Sequence, residues 1–345
     1  MRFSKRLFFL VSFLLLSAAA LYCLALLSGF VLPTAPTGVV SVGGATSAPS
    51  ISQAAPVSSK ALASSTDTVT SNAVPATSAG KAKGKIIERT ILPETGNLSF
   101  QKISVKNNTS LTIDLKAELL AGPKLRLQNT AEPQVLIVHT HTTECFMTEE
   151  RGYYTDADQT RTTKEANNIV AVGKVLADTL EQQGIGVVHA TEQHDYPEYT
   201  GSYSRAAATI KKYLAAHPSI KVVIDLHRDS ITAKDGTKSA VVAEVEGKKA
   251  AQVMLVAGCE DGSVTGFPNW RENFRLAIRL QQSLEVMYPS LARPIFFTPR
   301  KYNQNLTTGS LLLECGTEAN TLEQAKYSAK LVGNALASTL QLLKK

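Results

Sequence analysis

The chain has 345 residues, a net charge of +7 and four cysteines, of which Cys145, Cys259 and Cys315 lie outside the apolar amino-terminal segment. An odd number of external cysteines excludes a small fold held together by paired disulfides. The excess of Lys and Arg favours an anionic partner. Because the charged part is predicted to lie outside a membrane, a cell wall or lipid headgroups fit better than nucleic acid.

The amino-terminal segment of residues 7–32 is uncharged and rich in Leu, Phe, Val and Ala. It exceeds the roughly 20 residues that cross a bilayer as a helix. Three basic residues precede it, which predicts that residues 1–6 are cytoplasmic and that the rest of the chain is extracytoplasmic. A cleaved signal peptide is the alternative, but the apolar run exceeds the roughly 7–15 residues typical of its core. We predict an uncleaved, single-pass anchor in the cell membrane.

Residues 33–84 are dominated by Ala, Ser, Thr and Pro, contain no aromatic residue and carry few charges. Such a segment cannot bury enough apolar surface to offset the entropy of ordering it, so we predict a disordered linker. Residues 85–130 contain alternating segments such as Leu111–Leu115, which we interpret as short strands and turns leading into the core.

The remaining residues, 131–345, alternate short apolar runs with longer segments of helical periodicity. The predicted strands are Val135–Val138, Ile185–Val188, Val222–Leu226, Met254–Ala257 and Ser310–Leu313, and the predicted helices are Lys164–Gln183, Ser204–Ala216, Arg271–Met287 and Leu322–Leu343. This alternation predicts one α/β domain with a mostly parallel open sheet covered by helices on both faces.

Ionisable residues follow three of these strands. His139 and His141 follow the first strand, His227 the third and Glu314 the last, and Glu165 opens the first long helix. Carboxyl ends of parallel strands share one edge of a sheet, so these side chains are expected to converge. Two imidazoles and a carboxylate are usual ligands of a catalytic zinc, and Glu314 suits a separate general base. We interpret the remaining histidines outside this edge as structural: His189, His194 and His217.

Three sequence motifs resemble the stage II sporulation protein P family: residues 137–144 (IVHTHTTE), 225–229 (DLHRD) and 312–316 (LLECG). Residues 194–199 (HDYPEY) also match that family. The resemblance implies a zinc-dependent peptidoglycan hydrolase akin to the N-acetylmuramoyl-L-alanine amidases, active in the septal wall during engulfment of the forespore, with an associated endopeptidase activity. It also implies stage II sporulation proteins D and M as partners.

The broader zinc amidases imply a site on this sequence in which His141, Glu165 and His227 bind zinc and Glu314 acts catalytically. One departure is the His-Thr-His sequence, where the broader family has a Gly-His-Gly turn. On an extended strand both histidines would point the same way, so His139 is an alternative ligand.

Other interpretations use different residues. His141 and Glu144 have the H-x-x-E spacing of zinc carboxypeptidases, which would make Glu144 the ligand instead of Glu165. Cys145 could be a thiol nucleophile, although free cysteines are more often buried apolar residues. Arg228 could hold an anionic stem carboxylate or form an ordinary ion pair. A non-catalytic wall-binding scaffold would need only the basic surface.

Overall fold

The computed structural model describes residues 81–344, so the predicted anchor and nearly all of the predicted linker lie outside the described residues. Within residues 81–344, no helix combines the length and apolarity needed to cross a bilayer.

Twelve strands and five α-helices make up this part of the chain. The strands are β1 (Gly84–Arg89), β2 (Leu98–Phe100), β3 (Ile103–Asn107), β4 (Val135–Val138), β5 (Tyr153–Tyr154), β6 (Val187–His189), β7 (Val222–Asp229), β8 (Lys238–Val245), β9 (Lys248–Ala251), β10 (Val253–Gly258), β11 (Ile295–Thr298) and β12 (Ser310–Thr317). The helices are α1 (Leu115–Ala121), α2 (Ile169–Gln182), α3 (Ser202–Ala216), α4 (Trp270–Met287) and α5 (Leu322–Gln341).

The main sheet has eight strands in the order β2-β3-β11-β10-β12-β7-β4-β6. Strands β6, β4, β7 and β12 run parallel to one another, but β10 is antiparallel to β12. The sheet is therefore mixed, but five of its seven strand pairs are parallel, as expected for a mostly parallel open sheet. Strand β12 lies between β10 and β7. The β8–β9 hairpin, and not a helical crossover, connects β7 to β10, so β10 runs in the direction opposite to β7.

Helices cover both faces of the main sheet. Helices α2, α4 and α5 pack on one face, against inward residues such as Ile137, Ile224 and Leu313. On the other face, Leu136 and Val223 pack with Ile210 of α3 in a smaller core. Because side chains alternate along a strand, the polar residues of β7 that follow Val223 in steps of two lie on the α3 face.

Helix α2 begins at Ile169 and not at the predicted Lys164. The side chain of Asn168 accepts a hydrogen bond from Val170 N and caps the helix, as Asn commonly does. Residues Glu165–Asn167 form a separate 3-10 turn. Glu165 is therefore outside the long helix that was expected to carry it.

Residues 85–130 join both sheets of the structure. Strands β2 and β3 extend the main sheet, whereas β1 belongs to a four-stranded sheet with the order β5-β1-β8-β9. Gly84 pairs with Tyr154 of β5, and Ile86 pairs with Lys238 of β8. The expected strand at Leu111–Leu115 is wrong, because Asp114 caps α1 there by accepting from Ala117 N.

Candidate active site

The candidate site lies on the α3 face, where β4, β7 and β12 carry polar residues. In the register of β7 and β12, His227 is directly opposite Glu314. His141 lies in the turn after β4, with its ring centroid 5.2 Å from that of His227 and nearly perpendicular to it. The structure thus brings together His141, His227 and Glu314 from three distant parts of the sequence.

His227 is buried between two carboxylates. Its Nε2 is 2.9 Å from Asp225 Oδ1 and its Nδ1 is 3.6 Å from Glu144 Oε2. Burial alone would lower the pKa of His227, but Asp225, Glu144 and Glu314 together raise it to about 10. The surroundings of this imidazole therefore favour a positive charge, which either a proton or a bound cation in its place would supply.

Asp225 is held in place by the turn after β4. It accepts hydrogen bonds from Thr140 N at 2.8 Å and from the Thr140 hydroxyl at 2.7 Å. Burial would raise the pKa of Asp225, but His227 and these hydrogen bonds lower it to about 2. Asp225 is thus an ionised, fixed partner for His227, which sequence analysis did not assign.

Glu144, the alternative ligand, lies in this cluster. The carboxylate is buried and accepts a hydrogen bond from Arg228 N at 3.1 Å. Glu165, the favoured ligand, is instead exposed on its 3-10 turn. The structure groups Glu144, and not Glu165, with the two histidines.

His139 lies on the opposite face of the sheet, beneath α2. Its Nδ1 donates to Leu226 O at 2.9 Å, and its Nε2 is 2.8 Å from His189 Nε2. Strand β4 ends at Val138, so the extended geometry that would align His139 with His141 does not continue. Both ring nitrogens of His139 are occupied, which removes it as an alternative to His141. His194 is also structural, because its Nδ1 donates to His139 O.

Glu314 has an unpartnered oxygen next to these groups. Burial and the nearby Asp229 raise the pKa of Glu314 to about 8, although Arg293 and His227 oppose the shift. Arg293 also binds Asp229 at 2.8 Å. A carboxyl group with a raised pKa beside two histidines suits proton transfer near neutral pH.

The cluster contains donor atoms of the kinds that bind a metal ion. Within residues 81–344, no three His, Cys, Asp or Glu side chains are already arranged around a common point as ligands. Yet His141 Nδ1 and Glu314 Oε2 are buried without a hydrogen-bond partner, and His227 Nδ1 lies 3.6 Å from Glu144 Oε2. The His141 nitrogen, the second nitrogen of the His227 ring and the Glu144 carboxylate are donors of the kinds that zinc binds.

Arg228 is buried and supports the backbone. Its guanidinium donates to Cys145 O at 2.9 Å and to Thr160 O at 2.7 Å. These contacts hold the 145–160 loop against β7, a structural role that differs from both the possible carboxylate contact and the ordinary ion pair considered for Arg228.

Cys145 is buried, and its thiol donates to Gln159 O. Burial raises the pKa of this thiol, which argues against an activated thiolate. Cys145, Cys259 and Cys315 are all free cysteines.

Aromatic and basic residues beside His141 were not predicted from the sequence to belong to the site. The Tyr199 ring stacks on the His141 ring at 4.7 Å, and its hydroxyl lies 3.1 Å from His141 Nε2. The Arg161 guanidinium lies 4.7 Å from the centre of the Tyr199 ring. The Tyr203 ring meets His141 edge-on at 5.6 Å. Residues 194–199 stood out in the sequence, but nothing there indicated contact with His141.

Comparison with known proteins gives matches to sequence families and to solved structures. The family model for stage II sporulation protein P matches residues 55–337. Stage II sporulation protein P of Bacillus subtilis (strain 168) is 32% identical over 222 residues, which are 61% of this chain and 52% of that protein. The chain thus spans about half the length of this relative.

Two solved amidases have a low structural likeness to the chain. N-acetylmuramoyl-L-alanine amidase AmiC2 of Nostoc punctiforme has 12% identity and a TM-score of 0.34, over 61% of this chain and 96% of that one. The CwlD amidase from Clostridioides difficile, solved with the GerS lipoprotein, has 12% identity and a TM-score of 0.37, over 61% of this chain and 98% of that one. Scores this low carry no argument about fold or function.

The family match covers most of the chain and includes all three motifs that carried the resemblance. The resemblance predicted from those motifs is confirmed. The chain belongs to the stage II sporulation protein P family.

Proposed function

We propose that this chain is a zinc-dependent peptidoglycan hydrolase of the N-acetylmuramoyl-L-alanine amidase class, which cuts the amide between the glycan lactyl group and the stem peptide. The observation that carries the proposal is the grouping of His141, Glu144 and His227 with Glu314 opposite His227. Membership of a sporulation family supports a role in the cell wall during sporulation.

In this proposal His141, Glu144 and His227 hold the zinc. When bound, the ion would polarise the scissile carbonyl and lower the pKa of a water towards 7. Glu314 accepts the proton of the attacking water and returns it to the leaving amine. Asp225 keeps His227 oriented, in the manner of carboxylates that position metal-binding histidines.

The position of Glu144 also favours a second candidate function. The His141, Glu144 and His227 set has the spacing of zinc carboxypeptidases, so hydrolysis of a peptide bond within the stem is the alternative. The endopeptidase activity implied by the family belongs to the same class of reaction. The two functions differ in their products, because only the amidase separates intact stem peptides from the glycan.

The cellular setting is also part of the proposal. Residues 7–32 would anchor the chain in the septal or engulfing membrane, and residues 33–84 would let the hydrolase reach the wall. Stage II sporulation proteins D and M are the proposed partners in engulfment of the forespore.

The test is digestion of purified sacculi by the full chain with zinc, followed by mass identification of the released fragments. We expect stem peptides with a free L-Ala amino group, loss of release with a chelator and loss of release with Glu314→Gln. Glu285→Gln is the matched control, because Glu285 is also a buried carboxyl group whose pKa is raised by burial, but it lies on α4. Equal release by wild type and Glu314→Gln would contradict the proposal and favour a wall-binding scaffold.

A further inference from the structure

Arg161 is an accessible arginine beside the candidate site. Its side chain is 38% exposed, and its NH2 group is 3.8 Å from Glu144 Oε1. Arg228, by contrast, is 7% exposed and donates to backbone carbonyls. A ligand from solvent can therefore reach Arg161 but not Arg228.

The guanidinium of Arg161 is fixed at one end. Its NH1 group forms an ion pair with Asp195 and donates to the Thr143 hydroxyl oxygen at 3.2 Å. Asp195 is itself buried and accepts hydrogen bonds from Thr143 N at 3.1 Å and from the Thr143 hydroxyl at 2.7 Å. The arginine is thus oriented before any ligand arrives, which lowers the entropy lost on binding.

The other end of the guanidinium faces Glu144, but its NH2 group is 3.8 Å from Glu144 Oε1, which is within ion-pair distance and too long for a hydrogen bond. Arginine has five N–H donors, and within residues 81–344 the hydrogen bonds of Arg161 all come from NH1. The NH2 and Nε groups form the edge that binds a carboxylate through two parallel hydrogen bonds.

Tyr199 connects this edge to the candidate metal ligands. Its ring lies under the Arg161 guanidinium and stacks on His141, with 4.7 Å separating the centres in each contact. A ligand group bound at Arg161 would therefore lie about one aromatic ring away from His141.

We propose that Arg161 determines specificity by binding a carboxylate of the stem peptide, with Tyr199 setting its distance from the reacting bond. This inference rests on the proposed function for its substrate. Peptide stems carry free carboxylates, whereas the glycan hydroxyl and acetamido groups are uncharged, so the guanidinium would recognise the peptide side of the scissile amide.

The test measures the affinity of stem peptides for the full-length chain, kept in detergent. The chain carries the Glu314→Gln substitution, which should prevent turnover. The probes are the tripeptide L-Ala-γ-D-Glu-L-Lys and the same peptide with every carboxylate converted to a carboxamide. We expect the acid form to bind about 10-fold or more tightly than the amide form, as for a charge-assisted hydrogen bond. Adding Arg161→Gln should bring the two affinities to within about twofold.

Arg271→Gln is the matched control. Arg271 is 45% exposed, pairs with the buried Glu118 and lies 4.5 Å from the centre of the Trp270 ring, but it belongs to α4. This variant should keep the full preference for the acid form. Arg161→Lys keeps a positive charge next to Asp195 and should give an intermediate preference, which guards against a folding defect in Arg161→Gln.

An unchanged preference in a folded Arg161→Gln protein would overturn the inference, and so would the absence of binding by either peptide at millimolar concentration. If the acid preference depends on Arg161 but sacculi are not digested, the proposed function fails while carboxylate recognition stands. If sacculi are digested and the preference ignores Arg161, only the inference fails.

Discussion

Replacing Glu144 or Glu165 with Gln discriminates between the two possible zinc ligands. Glu144 is buried 3.6 Å from His227 Nδ1, whereas Glu165 is exposed on a 3-10 turn. Gln at position 144 can still accept from Arg228 N, so the fold should persist while the negative charge is lost.

The expected magnitudes follow from these positions. Loss of a partner that only orients a ligand costs about 10- to 100-fold in metal affinity, so loss of a ligand itself should cost at least about 100-fold. We expect this for Glu144→Gln, and less than about twofold for Glu165→Gln, because exposed substitutions rarely perturb a distant site.

The assay is competition for zinc with a chelating dye, alongside thermal unfolding to show that both variants are folded. Weaker zinc binding by Glu165→Gln with unchanged binding by Glu144→Gln would refute the assignment of Glu144. It would restore the ligand set implied by the broader amidases.

Three further predictions concern the buried face beneath α2 and the cysteine beside the site. Gly173→Ala should lower the free energy of unfolding by about 1–3 kcal/mol, because its new Cβ would lie 2.6 Å from His189 Nε2 and 2.7 Å from His139 Nε2; a higher denaturation midpoint would contradict this packing. Burial lowers the pKa of His189 to about 4, so the unfolded chain takes up a proton below about pH 6.5 while the folded chain does not. The free energy of unfolding should therefore fall from pH 6.5 towards pH 4. Urea unfolding should show a shallower fall for His189→Gln, and an unchanged pH dependence in that variant would show that His189 is not its cause. Cys145→Ser should keep its activity on sacculi, whereas a loss of activity in the folded variant would revive the thiol mechanism.

The convergence of His227 and Glu314 could be predicted from sequence because both end strongly apolar strands. Parallel pairing of β7 and β12 then places them opposite each other whatever the loops do. The direction of β10 relative to β7 could also have been inferred, because residues 230–252 contain no helical periodicity long enough for a crossover.

The choice of Glu144 over Glu165 depended on local geometry that periodicity does not encode. Apolar spacing locates the body of α2, but the first turn is set by the Asn168 cap, which leaves Glu165 outside the helix. The separation of His139 from His141 likewise follows from the end of β4 at Val138. Sequence patterns predict the end of a strand only to within a few residues, so they could not show that the two side chains diverge. Arg161 and Tyr199 reach the site through loops, whose paths depend on tertiary contacts.

Strand β1 has a practical consequence for preparing soluble protein. It joins the carboxyl side of the predicted linker to the Tyr153–Tyr154 strand, which belongs to the stretch between Glu144 and Arg161. Lys83 N also donates to Tyr154 O at 2.8 Å, just ahead of the strand. A truncation that starts beyond residue 89 would leave Tyr153 and Tyr154 without their neighbour and expose an edge of β8. Expression boundaries should therefore fall before Lys83, so that a loss of activity after trimming is not mistaken for a need for the membrane.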